Sequence, residues 1–271
     1  MSKESVRLGL SAFESKILSN LSAEGKSIFY ISELAKKIGS KVKARKLVST
    51  LAKKKWLERL TKGTYMILEL SAGSNPEWSE DSFYIASKLA KPYYIGYLSM
   101  LNYYGWTEQI PITVTVATTK STRCKKILGV NYDFLVLSKK KFFGYNEINI
   151  RGHVINVSNS EKTLVDALDH PEYCGGIDEV AKALSVAADK IRWNELIKHA
   201  SKMGNGAIFK RLGFLLERMT ISVPEGTIKA INKRITKGYA PLYPGIKAKG
   251  KHDAKWNIII NTNFSKERAL A

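Results

Sequence analysis

The residues best suited to chemistry lie between Lys41 and Lys54. Lys41, Lys43, Arg45, Lys46, Lys53 and Lys54 fall in that stretch with no acidic residue among them, and Ser49 and Thr50 stand between them. Ser40 precedes them as a helix cap, while Ala44, Leu47, Val48 and Leu51 recur at helical spacing. A helix that buries this apolar stripe turns Lys41, Lys43, Arg45, Lys46, Ser49, Thr50 and Lys53 outward. Lysine and arginine pair with phosphates or with the O6/N7 edge of guanine, and the shorter hydroxyls reach bases or phosphates. The bland alternative is a solvated helical face, but such a face more often carries glutamate for i,i+4 pairs. These seven residues, with Lys62 in a downstream turn, are the expected DNA contacts.

Other chemistries find less support. Metal-dependent nucleases and nucleotidyltransferases gather carboxylates around Mg²⁺, yet the chain has no D-x-D or D-x-E and no E-x-K after an apolar strand. Asp166 and Asp169 lie three apart, the second just ahead of Pro171. There is no P-loop and no G-x-S-x-G. None of His153, His170, His199 and His252 has a histidine partner at i+3 or i+4, and nothing completes a zinc set around His170 and Cys174. No catalytic residue, metal or cofactor is expected. Tyr93, Tyr94, Tyr97, Tyr103, Tyr104 and Trp106 could stack on single-stranded bases. The helical spacing of Tyr94, Tyr97, Leu98, Leu101 and Tyr104 points instead to core.

The elements that must hold the basic helix are legible around it. An amphipathic helix spans Leu10–Leu21, with Leu10, Phe13, Ile17, Leu18 and Leu21 on its apolar face. A short strand over Ser27–Tyr30 follows, then a helix capped by Ser32 and stopped by Gly39, then the basic helix. Trp56–Leu60 and Thr64–Leu68 read as strands about the turn Thr61-Lys62-Gly63. That order predicts an N-terminal winged helix-turn-helix domain over residues 1–72, with a turn-rich linker at Ser71–Pro76.

Residues 76–271 read as a larger mixed α/β C-terminal domain with several helices and a small sheet, making the chain α+β. Helices are expected at Glu80–Leu89, at Tyr93–Tyr104 behind Pro92, and at 160–169 behind a Ser158/Glu161 capping box. Further helices are expected at 176–188, 193–203 and 206–220. Strands are expected at Ile112–Ala117, Tyr132–Leu137, Ile148–Ile150, His153–Val157 and Trp256–Ile260.

The charge distribution agrees with a nucleic-acid partner. The 271 residues carry 44 Lys+Arg against 24 Asp+Glu, a net +20. Residues 1–70 hold 15 basic and 6 acidic side chains, residues 71–226 hold 19 and 16, and residues 227–271 hold 10 and 2. A uniform surface bias would not leave the middle near neutral while both ends, including a basic tail from about 227, are strongly positive. No run approaches the ~18 apolar residues of a membrane span, so no membrane partner is expected. Two cysteines and a charged start, MSKESVRLGLSAFESK, fit a cytoplasmic protein.

Several blocks resemble the AbiEi antitoxins of type IV toxin–antitoxin systems. Leu60-Thr61-Lys62-Gly63-Thr64-Tyr65 is similar to that family's wing. Tyr93-Tyr94-Ile95-Gly96-Tyr97-Leu98-Ser99, continuing through Leu101-Asn102-Tyr103-Tyr104-Gly105-Trp106-Thr107-Glu108-Gln109, is similar to its central helix. Ser160-Glu161-Lys162-Thr163-Leu164-Val165-Asp166, with Asp169, Pro171, Tyr173, Cys174, Gly175 and Gly176, and Lys210-Arg211-Leu212-Gly213-Phe214-Leu215-Leu216-Glu217 are similar to two further blocks. The chain departs at Leu242-Tyr243-Pro244, where that family tends to have Leu-Asp-Pro. The resemblance implies a repressor that binds inverted repeats in double-stranded operator DNA. It also implies a C-terminal region needed for antitoxin action, against a nucleotidyltransferase toxin that it need not bind stably. An RNA-binding antitoxin that shields the toxin's nucleic-acid substrate, or a nuclease, remains the alternative.

Overall fold

The computed structural model describes residues 7–68 and 81–270. The protein is a mixed α/β structure that divides into two compact units, Met1–Ala90 with Lys125–Asn131 and Lys91–Cys124 with Tyr132–Ala271. The linker expected at Ser71–Pro76 lies outside the described residues. Residues 81–90 and 125–131, expected in the larger domain, group with the first unit in this division.

In the first unit, helix α1 (Ala12–Ala23) is followed by strand β1 (Ile28–Tyr30), α2 (Ile31–Ile38), α3 (Lys41–Lys53), β2 (Leu57–Thr61) and β3 (Thr64–Ile67). Both neighbours of β3 run antiparallel to it, in the order β1-β3-β2. Leu18, Leu21, Phe29, Leu34, Ala44, Leu47, Val48, Leu51, Leu57 and Ile67 form one core. Helix α4 (Ser82–Leu89), capped by the Asp81 carboxylate, also belongs here.

The second unit begins with β4 (Tyr93–Ile95) and α5 (Tyr97–Tyr103), then β5 (Thr113–Thr118). Strand β6 (Lys125–Ile127), assigned to the first unit, precedes β7 (Val130–Val136), β8 (Tyr145–Ile150) and β9 (His153–Ser158). Within this unit the strands follow the order β7-β5-β4-β9-β8. Strand β4 is antiparallel to β5 and parallel to β9. Helices α6 (Ser160–Asp169), α7 (Ile177–Ala187), α8 (Trp193–Met203) and α9 (Gly206–Arg218) follow, with a 3-10 turn at Pro171–Tyr173. The basic tail is folded: α10 (Thr227–Asn232), β10 (Ala240–Pro241), β11 (Lys251–Asp253), β12 (Ile258–Ile260) and α11 (Lys266–Leu270). Strand β12 lies between parallel β10 and antiparallel β11.

Helix α6 is the axis of this unit, packed against α5, α7, α8 and α9. Its residues from Glu161 to Asp169 are all buried, four charges included. Lys162 and Asp166, both fully buried, form an i,i+4 ion pair. The Tyr94 hydroxyl donates to Asp166 Oδ2 at 2.9 Å and accepts from Lys162 Nζ at 3.0 Å. Burial raises the Asp166 carboxyl despite Lys162, and burial pushes the Tyr94 phenol well up. Glu161 accepts from the Arg192 backbone N–H at 3.0 Å. Asp169 accepts from Lys141 Nζ at 2.7 Å and Asn205 Nδ2 at 2.5 Å.

The tail is locked to α9. Arg211 donates to the carbonyls of Leu168 (2.7 Å) and Pro241 (3.1 Å), joining the end of α6 to β10. Lys210 Nζ donates to the Gly238 carbonyl at 2.7 Å. The Trp256 ring lies in a notch at Gly213, and its indole N–H donates to Glu217 at 2.6 Å.

Several sequence expectations are corrected. Tyr93–Ile95 is a buried strand, not the first turn of a helix reaching Tyr104, because its backbone pairs with β5 and β9. Ser158 ends β9 and bonds to the Thr163 hydroxyl, so Asn159 caps α6 by accepting from Lys162 N–H. Ser32 lies inside α2, whose cap position is Tyr30. Phe13 is exposed while Glu14 is buried, since Glu14 closes a capping box with Ser11 and takes Lys54 Nζ at 2.7 Å. Ile112 lies outside β5 and is exposed. The strand expected at Trp256–Ile260 covers only Ile258–Ile260, and β6, β10, β11, α10 and α11 have no counterpart among the sequence expectations.

Two stability tests follow from this packing. A Cβ on Gly213 would lie 2.0 Å from the buried Trp256 ring. Glycine to alanine inside a helix ordinarily stabilises by ~1 kcal/mol; here Gly213→Ala should destabilise by about 1–3 kcal/mol, the cost of overpacking. Urea unfolding reads the sign directly. Burial raises the Asp169 carboxyl, but hydrogen bonds from Lys141 and Asn205 outweigh it and hold it below its ordinary value of 3.8. Its contribution is therefore present above pH 3.8 and lost as pH falls through the lower folded value. Asp169→Asn should lower stability at pH 7 and flatten the acid limb of a stability-versus-pH curve. A parallel downward shift at every pH would refute this role for its charge.

Candidate nucleic-acid interface

The basic helix is positioned by short-range devices on both sides. Gly39 ends α2 in the left-handed region, at φ 74°. Ser40 then caps α3, its hydroxyl accepting from Lys43 N–H at 3.3 Å. The expected stripe Ala44, Leu47, Val48 and Leu51 is the one α3 buries. At the far end, Lys54 is anchored to Glu14, whose carboxyl is lowered chiefly by the hydrogen bond from Lys54. The β2–β3 turn is tied to the start of α2 by Ile31 N–H on the Gly63 carbonyl, at 2.8 Å. Gly63 has φ 84°, which side-chain-bearing residues rarely adopt.

This frame leaves the expected contact residues outward. Lys41, Lys43, Arg45, Lys46, Ser49 and Lys53 are exposed, Thr50 is half-buried, and Lys62 is exposed at the tip of the β2–β3 turn. Among the described residues, none of the cations at 41, 43, 45, 46, 53 and 62 forms an ion pair. Of the carboxylates described in these elements, Glu14 is engaged by Lys54, and Glu24 by Lys26 and Lys37, while Glu33 on α2 and Glu58 on β2 form no ion pair among the described residues.

Three further residues join this face that sequence reasoning passed over. Ser32 and Lys36 on α2, with Gly39, Ser40, Lys41 and Arg45, line a groove of about 550 Å³. Both side chains are exposed, and Lys36, unlike Lys37, has no ion-pair partner among the described residues. Their signal was available: both lie away from the buried Leu34. Val42 is the third. It is 74% exposed, the most exposed large apolar residue of the first unit among those described. The groove has Lys36 on its α2 side and Lys41 with Arg45 on its α3 side, with the Ser32 and Ser40 hydroxyls and the apolar Ile31 and Ala35 between them, a lining able to hold phosphates.

The tail presents a second basic surface in the other unit. Lys229, Lys233, Lys237, Lys247, Lys249 and Lys251 are exposed and form no ion pair among the described residues, whereas Lys255 pairs with Glu217 at 2.7 Å. The aromatic segment offers little for base stacking: Tyr93, Tyr94, Tyr97 and Trp106 are buried, and Tyr103 alone of the six is exposed. Asp166 and Asp169 are each occupied by internal partners.

No protein-family model matches the chain, and no curated protein matches it significantly. Among solved structures the chain is similar to the crystal structure of the RV2827C protein from Mycobacterium tuberculosis. The identity is 13%, with 99% of this chain and 97% of that chain covered at a TM-score of 0.68. At that identity the likeness is one of fold.

Proposed function

We propose that this protein is a sequence-specific DNA-binding regulator whose residues 7–68 act as a winged helix-turn-helix. In this reading α2 and α3 are the helix pair, α3 enters the major groove, and the β2–β3 turn with Lys62 is the wing on the adjacent backbone. The observation that carries the reading is the outward face of α3: exposed cations that form no ion pair among the described residues, on a helix with no acidic residue of its own and whose opposite face is sealed in the core. The resemblance to AbiEi antitoxins extends the proposal. The chain then represses its own operon through inverted repeats, and the second unit supplies antitoxin action against a nucleotidyltransferase toxin.

Footprinting of the full chain on the DNA upstream of its own gene, with RNA as competitor, tests this. A protected inverted repeat that RNA fails to displace is the expected result. Displacement by RNA at equal affinity would favour the RNA-shielding alternative. Arg45→Ala with Lys46→Ala should weaken operator binding by about 1–3 kcal/mol for each base edge that the variant no longer reads. Full retention of binding by that double variant would mean that another element reads the site.

The tail lysines give a separate prediction. Phosphate contacts position a protein without specifying sequence. Each adds about −0.9 to the log–log slope of affinity against salt on duplex DNA. Replacing Lys247, Lys249 and Lys251 with Gln should flatten that slope by roughly three units and leave sequence preference unchanged. An unchanged slope would assign those lysines to solvent or to the toxin side.

A further inference from the structure

Val42 has no structural reason to be valine. It is the second residue of α3, 74% exposed, in a helix whose apolar requirement is met by Ala44, Leu47, Val48 and Leu51. A β-branched residue at an exposed helical position is a weaker helix former than alanine. At 3.6 residues per turn, Arg45, Lys46, Ser49 and Lys53 all fall within about one-sixth of a turn of the Val42 direction, while the buried stripe lies opposite. Val42 is thus an apolar centre within the outermost cationic face.

We infer that Val42 reads a thymine methyl group. This rests on the reading of α3 as the element that enters the major groove. The first residues of a recognition helix are those that reach base edges. Thymine is the base that displays an apolar group there, its C5-methyl, and small apolar side chains recognise it by contact. The flanking cations, Arg45 and Lys46, suit guanine edges or phosphates, and the Ser49 hydroxyl suits either. Val42 gives this face a preference for DNA over RNA, because uracil lacks the methyl. Burying both the valine and the methyl against each other also removes apolar surface from water, which the free protein cannot do.

The test uses the full chain and a randomised duplex DNA pool. Selection yields an enriched site, and each thymine in it is then replaced singly by deoxyuridine. At one thymine in each half-site, loss of the methyl should weaken wild-type binding about fourfold, the worth of one buried methyl-sized group. Val42→Ala should bind the thymine site about as weakly as wild type binds the deoxyuridine site, and should no longer distinguish the two. Its melting temperature should be unchanged or higher, as expected for an exposed helical position. An enriched site in which no thymine is methyl-sensitive, or sensitivity that survives in Val42→Ala, would overturn the assignment while leaving DNA binding by α3 intact. No enriched sequence, or equal binding to the corresponding RNA, would overturn both.

Discussion

An ion pair sealed inside a protein dictates what surrounds it. Lys162 and Asp166 sit one helical turn apart on α6 with no solvent exposure, and taking such charges out of water is compensated only by near-complete hydrogen bonding. The neighbouring elements supply it. Strand β4 brings the Tyr94 hydroxyl, placed to donate to one partner and accept from the other. The Phe143 and Tyr94 rings flank the Lys162 ammonium, at 5.1 and 5.4 Å from their centres. The same demand repeats along the helix, with Arg192 meeting Glu161, and Lys141 and Asn205 meeting Asp169. Removing one partner of such a pair typically costs about 3–5 kcal/mol, because the other is left buried and unpaired. The second unit is organised around meeting these demands.

The first unit treats charge in the opposite way. Its buried carboxylate, Glu14, takes its lysine from Lys54, the residue that ends α3, and so joins α1 to α3. The rest of α3 is left with cations that nothing in the described structure neutralises. Self-repulsion along that face opposes folding, and the small core under it must outweigh the repulsion. Buried charge gathers around α6 in the second unit, whereas in the first it is confined to the Glu14–Lys54 link and the remaining charge of α3 lies at the surface.

What could be read from the sequence follows the same division. Helix α3 was legible because its cap, its apolar stripe and its terminating residues all lie within fifteen positions and need no distant partner. Strand β4 was not. Tyr93, Tyr94 and Ile95 are all buried, so the strand shows no alternation, and Tyr94, Tyr97, Leu98 and Leu101 continue a helical spacing across the strand–helix junction. Only pairing with β5 and β9 decides the matter, and that information lies more than twenty residues away. Asn159 took the cap from Ser158 because β9 extends through Ser158. A glycine inside a helix ordinarily weakens it, and only the fold shows that Trp256, distant along the chain, occupies the space of the missing side chain at Gly213. Val42 was within reach of the same reading, because the register of the stripe Ala44, Leu47, Val48 and Leu51 already places it on the opposite side of the helix.

That register separates two kinds of position on one helix. Ala44, Leu47, Val48 and Leu51 are held by the packing of the first unit, and a change at any of them disturbs the fold. Val42, Arg45, Lys46 and Ser49 face solvent in the free protein, so the fold places almost no constraint on their identity. Their composition can change without disturbing the core beneath. Under the proposed reading of α3, a lineage descended from this protein can change the sequence it reads by altering those four solvent-facing residues, keeping the scaffold beneath unchanged.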